Sequence, residues 1–131
     1  MADAPALLTD WYRRRAREAP DAPAYHSLRE GRWVPTSWSS FVQEADRYAA
    51  RFTALGLVAE ERLGVMAPTG LDWECAQVGA LRCGAAVVGL DAHEEPSRLA
   101  DILAVGEVVA LVVGDARSFA RLPFAATQRL R

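Results

Sequence analysis

The chain has 131 residues, enough for one ordinary domain with a buried core and too few for several. Its residues are 51% hydrophobic and 24% charged, far from the composition of disordered chains, so a folded protein is expected. The formal charge of -2 leaves no extended basic field for a nucleic-acid backbone, and no run approaches the roughly 20 apolar residues of a membrane span.

The first predicted element is a helix from Ala6 to Arg17, with Leu7, Leu8, Trp11, Tyr12 and Arg15 recurring at steps of three and four and the pattern ending before Pro20. Arg13, Arg14, Arg15 and Arg17 make the only dense cationic run, read as a solvated face balanced by Glu18 and Asp21 rather than an anion site. Met1 to Thr9 lack the charged-then-apolar order of a secretory signal. Cys75 and Cys83 are the only cysteines and lie in an apolar pattern. Neither a disulfide framework nor a zinc site is expected, and a reducing, cytoplasmic setting is.

After the break at Asp21-Ala22-Pro23, two short runs, Ala24 to Leu28 and Arg32 to Trp38, read as a hairpin turned by Arg29-Glu30-Gly31, with Pro35 marking an edge strand. Ser39 or Ser40 is expected to cap the second helix, Gln43 standing three residues beyond Ser40 as in a capping box. Phe41, Ala45, Tyr48, Ala49, Phe52 and Leu55 mark its buried face, Asp46, Arg47 and Arg51 its wet side, and Gly56 its end.

Arg62 to Ala67 reads as a strand, Pro68-Thr69-Gly70 as a turn, and the residues from Asp72 to about Cys83 as a helix presenting Trp73, Ala76, Gln77, Ala80, Leu81 and Gly84. Its small residues Ala76, Gly79 and Ala80 predict close approach to a sheet. Ala85 to Leu90 is apolar without alternation, the pattern of a strand covered on both faces. A helix from Pro96 to Leu103 and a strand from Val108 to Val113, ended by Gly114-Asp115, follow.

The alternation predicts an α/β fold: a partial, mainly parallel sheet flanked by helices, preceded by an amino-terminal helix and a β-hairpin. The hairpin part covers about 1–38, the βαβ part about 39–115 and the tail 116–131, where no closing element is evident and the domain reads as cut short.

Little chemistry is visible. The one glycine of Pro68-Thr69-Gly70 makes no phosphate loop, and the chain contains no lysine. His26 reads as structural, in a hairpin strand. His93, with Asp91 and Glu94 beyond the carboxyl end of a predicted parallel strand, stands where open sheets gather ligands, but a polar loop is the commoner meaning of that composition. Trp11, Trp33, Trp38 and Trp73 are expected in core packing, and the pairs Glu60-Glu61 and Glu94-Glu95 in water. No residue is assigned a catalytic, cofactor-binding or metal-ligating role.

The collinear order of several short words adds more. Ala19-Pro20-Asp21-Ala22-Pro23-Ala24, Ser37-Trp38-Ser39-Ser40-Phe41, Ala54-Leu55-Gly56-Leu57, Glu61 to Gly70, Asp72-Trp73, Leu81 to Asp91, Leu99 to Leu103 and Leu111 to Asp115 resemble, in order, the amino-terminal part of the adenylate-forming superfamily. That superfamily includes acyl-CoA synthetases, peptide-synthetase adenylation domains and luciferases, and the likeness is greatest to long-chain fatty-acid synthetases. Three departures stand out: Glu60 and Glu61 replace a glycine and an aspartate, Gly89 replaces a proline, and His93 occupies a variable loop.

The resemblance implies a parent ligase using ATP, Mg and coenzyme A, with this chain as a segment inactive on its own whose partner is the remainder of that synthetase. It places the phosphate loop, the acidic ATP-binding motifs and the catalytic lysine beyond Arg131. Two rivals remain: a non-catalytic binding or dimerisation module self-associating through an uncovered sheet face, and a small Rossmann-like enzyme using His93 and Asp91.

Overall fold

The computed structural model describes residues 7–131. The start of the first predicted helix, Ala6, lies outside the described residues; the helix, α1, runs Leu8–Glu18. It leads into an antiparallel hairpin of β1 (Pro23–Arg29) and β2 (Arg32–Ser37), in register from Arg29↔Arg32 to Pro23↔Ser37 with one irregularity between Pro23 and Tyr25. Glu30 (φ 49°) and Gly31 (φ 77°) are both left-handed, as a two-residue turn matched to strand twist requires.

The second helix, α2 (Trp38–Ala54), starts earlier than predicted. Ser37, not Ser39 or Ser40, is the cap: its Oγ accepts the Ser40 backbone N–H at 3.2 Å. Gly56 follows the helix at φ +83°, as expected. Phe41, Ala45 and Phe52 are buried, whereas Leu55, at the helix end, is exposed.

Three strands form a parallel sheet, β3 (Arg62–Met66), β4 (Ala86–Gly89) and β5 (Val108–Val113), in the order β4-β3-β5. The connecting helices are α3 (Leu71–Arg82) and α4 (Pro96–Val105). Because the chain steps from β3 to one side and then back past it to the other, right-handed crossovers place α3 and α4 on opposite faces. Packing agrees: Leu63, Val65 and Ala110 join Ala76 and Ala80 of α3 on one face, and Met66 and Val108 join Leu99 and Leu103 of α4 on the other.

This topology corrects two expectations. β4, predicted to be covered on both faces, is an edge strand with Ala86 and Gly89 exposed, and the fully covered strand is the central β3. Gly79 serves helix packing rather than the sheet: a Cβ there would meet the Tyr48 Cβ at 2.7 Å and the Ala45 carbonyl at 3.0 Å, so it is the absence of a side chain that lets α2 approach α3. Cys75 and Val78 of α3 face Phe41 and Ala45 of α2, while Ala76 and Ala80 face the sheet; apolar residues on both sides mark a helix held between layers.

The tail also differs from expectation. After the short helices α5 (Ala116–Ala120) and α6 (Phe124–Thr127), the backbone N–H of Arg131 donates to the Val109 carbonyl at 2.8 Å, beside the register shift of β5. Leu122 is buried in the α4-side core with Ala126 and Leu130 packed beside it. The Arg131 guanidinium donates to the Gly56 carbonyl (2.6 Å) and pairs with Glu61. Leu122, Ala126 and Leu130, with Arg131, supply these contacts.

Candidate functional site at the carboxyl ends of the parallel strands

Open parallel sheets receive ligands beyond the carboxyl ends of their strands, above all where two neighbouring strands send their connections to opposite faces. Here those strands are β3 and β5, followed by the loops Pro68-Thr69-Gly70 and Gly114-Asp115, and the third loop, Asp91 to Glu95, follows β4 at the same end of the parallel sheet. The Gly114 N–H donates to the Met66 carbonyl at 2.9 Å, and a Cβ on Gly114 would lie 3.0 Å from the Pro68 Cδ. The loops after β3 and β5 are thus packed together, with the proline ring against the glycine.

The groups in these loops do not fit a nucleotide triphosphate. Phosphate binding at a helix start needs free amides without competing negative charge, and commonly a lysine. The first turn of α3 carries Asp72 and Glu74, Gly70 is extended (φ 174°) rather than left-handed, and the chain has no lysine. At α5 the amino terminus is satisfied by the chain itself: the Asp115 Oδ1 accepts the Ser118 N–H at 2.7 Å, which holds the Asp115 carboxyl below its ordinary range.

The cluster around His93 is a turn. The Asp91 Oδ1 accepts the His93 backbone N–H at 2.8 Å, the Arg121 guanidinium donates to the Glu94 carbonyl at 2.7 Å, and the Glu94 carboxylate lies 3.6 Å from the Nε of the Arg98 guanidinium, its ion-pair partner. Each acid shapes the loop or docks the tail, and His93 itself is exposed. Among the described residues no three His, Cys, Asp or Glu side chains come together in a metal-ligating group.

The remaining candidates are spread over the surface and core. His26 is exposed on β1. Cys75 is buried, and burial pushes its thiol up to about 12, which leaves no thiolate to act as a nucleophile near neutrality. Cys83 is part-buried at the end of α3 and its Sγ donates to the Ala49 carbonyl at 3.5 Å. Trp38 and Trp73 are half-buried as core residues should be, Trp38 meeting Phe41 edge-on with centroids 6.2 Å apart. Trp11 and Trp33 are exposed, contrary to expectation, because α1 and the hairpin each turn a side to solvent.

Two concavities, of about 460 and 440 Å3, run along α4. Leu103, Val108, Val109 and Ala126 line one, and Val88, Ile102 and Val105 the other. Val108 and Val109 stand at the start of β5, the opposite end of the sheet from the ligand position.

Sequence reasoning missed the role of the glutamates before β3. Glu60 sits at φ +68°, in the left-handed region where the resembling family has glycine, and the Glu61 carboxylate accepts the Val58 N–H at 3.0 Å while pairing with Arg131. The departure from a glycine-aspartate pair was the available signal. It marks a left-handed turn position held here by a residue other than glycine.

A family model described as AMP-binding enzyme matches residues 12–130. A long-chain-fatty-acid–CoA ligase, heimdall, from Drosophila melanogaster is 25% identical over 90% of this chain and 18% of its own length. Pyochelin synthetase PchF from Pseudomonas aeruginosa is 37% identical over 75% of this chain and 5% of its own. A solved fatty acyl CoA synthetase of Mycobacterium tuberculosis superposes with a TM-score of 0.82 at 21% identity, covering 93% of this chain and 25% of that one. The chain therefore spans under a fifth of the curated relatives it matches. Fold, element order and a match along nearly the whole chain agree: it belongs to the AMP-binding enzyme family.

Proposed function

We propose that the chain is the amino-terminal portion of an ATP-dependent acid-thiol ligase, a fatty-acid or aryl acyl-CoA synthetase, and that it does not catalyse the reaction alone. In the parent enzyme a carboxylate would attack ATP to give an acyl-adenylate and pyrophosphate, and the thiol of coenzyme A would then displace AMP. ATP, Mg and coenzyme A belong to that parent. This segment supplies part of the large domain's layered core, and the remainder of the synthetase is its partner.

The observation that carries the reading is the family match from residue 12 to 130, in a chain that has two acids in the first turn of α3 and no lysine where phosphate would need cations. The test is carboxylate-dependent exchange of pyrophosphate into ATP by the purified chain, alongside its thermal midpoint with and without ATP-Mg and a panel of fatty acids. No exchange and no shift are expected, since a ligand bound only by the folded form must raise the midpoint. Turnover, or a saturable shift with ATP, would overturn the assignment of the chemistry to other polypeptide.

A non-catalytic dimerisation module is the second reading. Both faces of the parallel sheet carry helices, so its support is the open outer edge of β4 and the exposed hairpin side bearing Leu28 and Trp33. A strictly monomeric chain in light scattering at micromolar concentration would remove it.

A further inference from the structure

β5 stands at one side of the three-stranded sheet, yet it is not built as an outer strand. Its residues, Val108–Val113, are apolar without alternation, the pattern of a parallel strand covered on both faces. Both faces are indeed covered: Val109 and Val112 pack with the α3-side core, Leu111 and Val113 with the α4-side core. β4, at the other side of the sheet, is shorter and leaves Ala86 and Gly89 exposed.

The backbone of β5 is only half paired. The Gly114 N–H donates to the Met66 carbonyl, so alternation along the strand turns the N–H and carbonyl groups of Leu111 and Val113 away from β3. Among the described residues neither has a backbone partner on that side. At the start of the strand the outer side is already taken: the Val109 carbonyl accepts the Arg131 N–H at 2.8 Å, and the Arg131 guanidinium is anchored on Gly56 and Glu61.

The handedness of the connections agrees. α4 carries the chain from β4 past β3 to β5, and the tail stays on the α4 face, with Leu122 buried beside Leu99 and Leu103. A right-handed connection that leaves β5 on that face returns on the outer side of β5. Arg131 lies at the start of β5, so a strand that begins there runs parallel to it.

We infer that the outer edge of β5 is a docking site for an extended segment running parallel to it, the stretch that follows Arg131 in the parent synthetase, with the Arg131-to-Val109 hydrogen bond as the first rung of the ladder. The segment is apolar and rich in β-branched residues, since both helical layers flank the position it fills. Its carbonyls accept the N–H groups of Leu111 and Val113. A second copy of this chain pairing with the same edge would displace Arg131 from Val109. The identity of the occupant rests on the ligase reading: failure of that reading shows in pyrophosphate exchange, and failure of the docking in the amides of β5.

The test lengthens the chain after Arg131 by Thr-Val-Thr-Val-Thr and follows hydrogen exchange. In the chain of 131 residues the amides of Leu111 and Val113 should exchange at least about ten-fold faster than that of Val112, which faces β3. The added strand should slow Leu111 and Val113 about ten-fold and raise the thermal midpoint. Because the Arg131 N–H faces β5, those of the second and fourth added residues face it too. Proline at these two positions should abolish the protection, whereas proline at the first and third, of the same composition, should retain it. Unchanged exchange in the lengthened chain, or the same result from both proline variants, would overturn the proposal. So would protection of Leu111 and Val113 in the 131-residue chain that grows with protein concentration, which would assign the edge to a second copy.

Discussion

Trp33 and Trp73 are large rings at positions of similar apolar patterning, yet Trp33 is 68% exposed on β2 and Trp73 packs half-buried against the α3-side core. The contrast extends to the regions around them. Among the described residues the buried hydrophobic ones run from Phe41 to Leu122, and none belongs to α1, β1 or β2. A helix or strand displays its apolar side by periodicity alone, but only topology decides whether another layer covers it. β3, between two strands and two helical layers, is covered; the two-stranded hairpin, of a kind marginal in isolation, has one side open.

The widest separation between the regions should come from truncating leucines. Leu99→Ala, in the α4-side core at 0% exposure, is expected to cost about 2–5 kcal/mol, and Leu28→Ala on the hairpin within about 0.5 kcal/mol of nothing, both read from urea midpoints. Equal costs would break the comparison. Gly79→Ala should come next, at about 1–3 kcal/mol, because the new Cβ meets the backbone of α2. Gly64→Ala should cost less, since its nearest neighbours, at 2.7 and 2.9 Å, are the movable ends of Leu111 and Leu90.

A smaller effect of opposite sign is expected at Glu60. Its φ of +68° favours glycine, so Glu60→Gly should raise stability by up to about 1 kcal/mol, observed as a higher thermal midpoint. The smallest effect concerns acid. Hydrogen bonding from Arg131 holds the Glu61 carboxyl below its usual range, and the Ser118 amide does the same for Asp115. Groups lowered on folding contribute stability above the unfolded carboxylate range and lose it as pH falls through their folded values, so the midpoint should drop from about pH 5 downward. Asp115→Asn, which keeps a capping oxygen without the charge, should flatten part of that slope.

Much of the architecture was legible because local chemistry and global fold agree. Glu30-Gly31 turned the hairpin as read, Pro96 opened α4, Gly56 closed α2, and the apolar runs became parallel strands. Three features were not legible, each for want of a partner. The cap of α2 falls on Ser37 rather than Ser39 or Ser40 because the helix begins directly at the end of β2. The edge position of β4 follows from strand order, which composition does not encode. The docking of the tail depends on Leu122, Leu130 and Arg131 finding surfaces more than ten residues away in sequence. At the candidate site, the polar loop at Asp91 to Glu95 was readable from composition, whereas the contact of Pro68 with Gly114 was not.

Native-state hydrogen exchange tests the division between the two regions most directly. The amides of β3 from Leu63 to Val65, in the stretch paired with a strand on each side, should exchange only through global unfolding, and those of β1 from Tyr25 to Arg29 at least about ten-fold faster through local opening of the hairpin. Equal protection of hairpin and central strand would mean that the amino-terminal elements share the core's cooperativity, and would contradict the account.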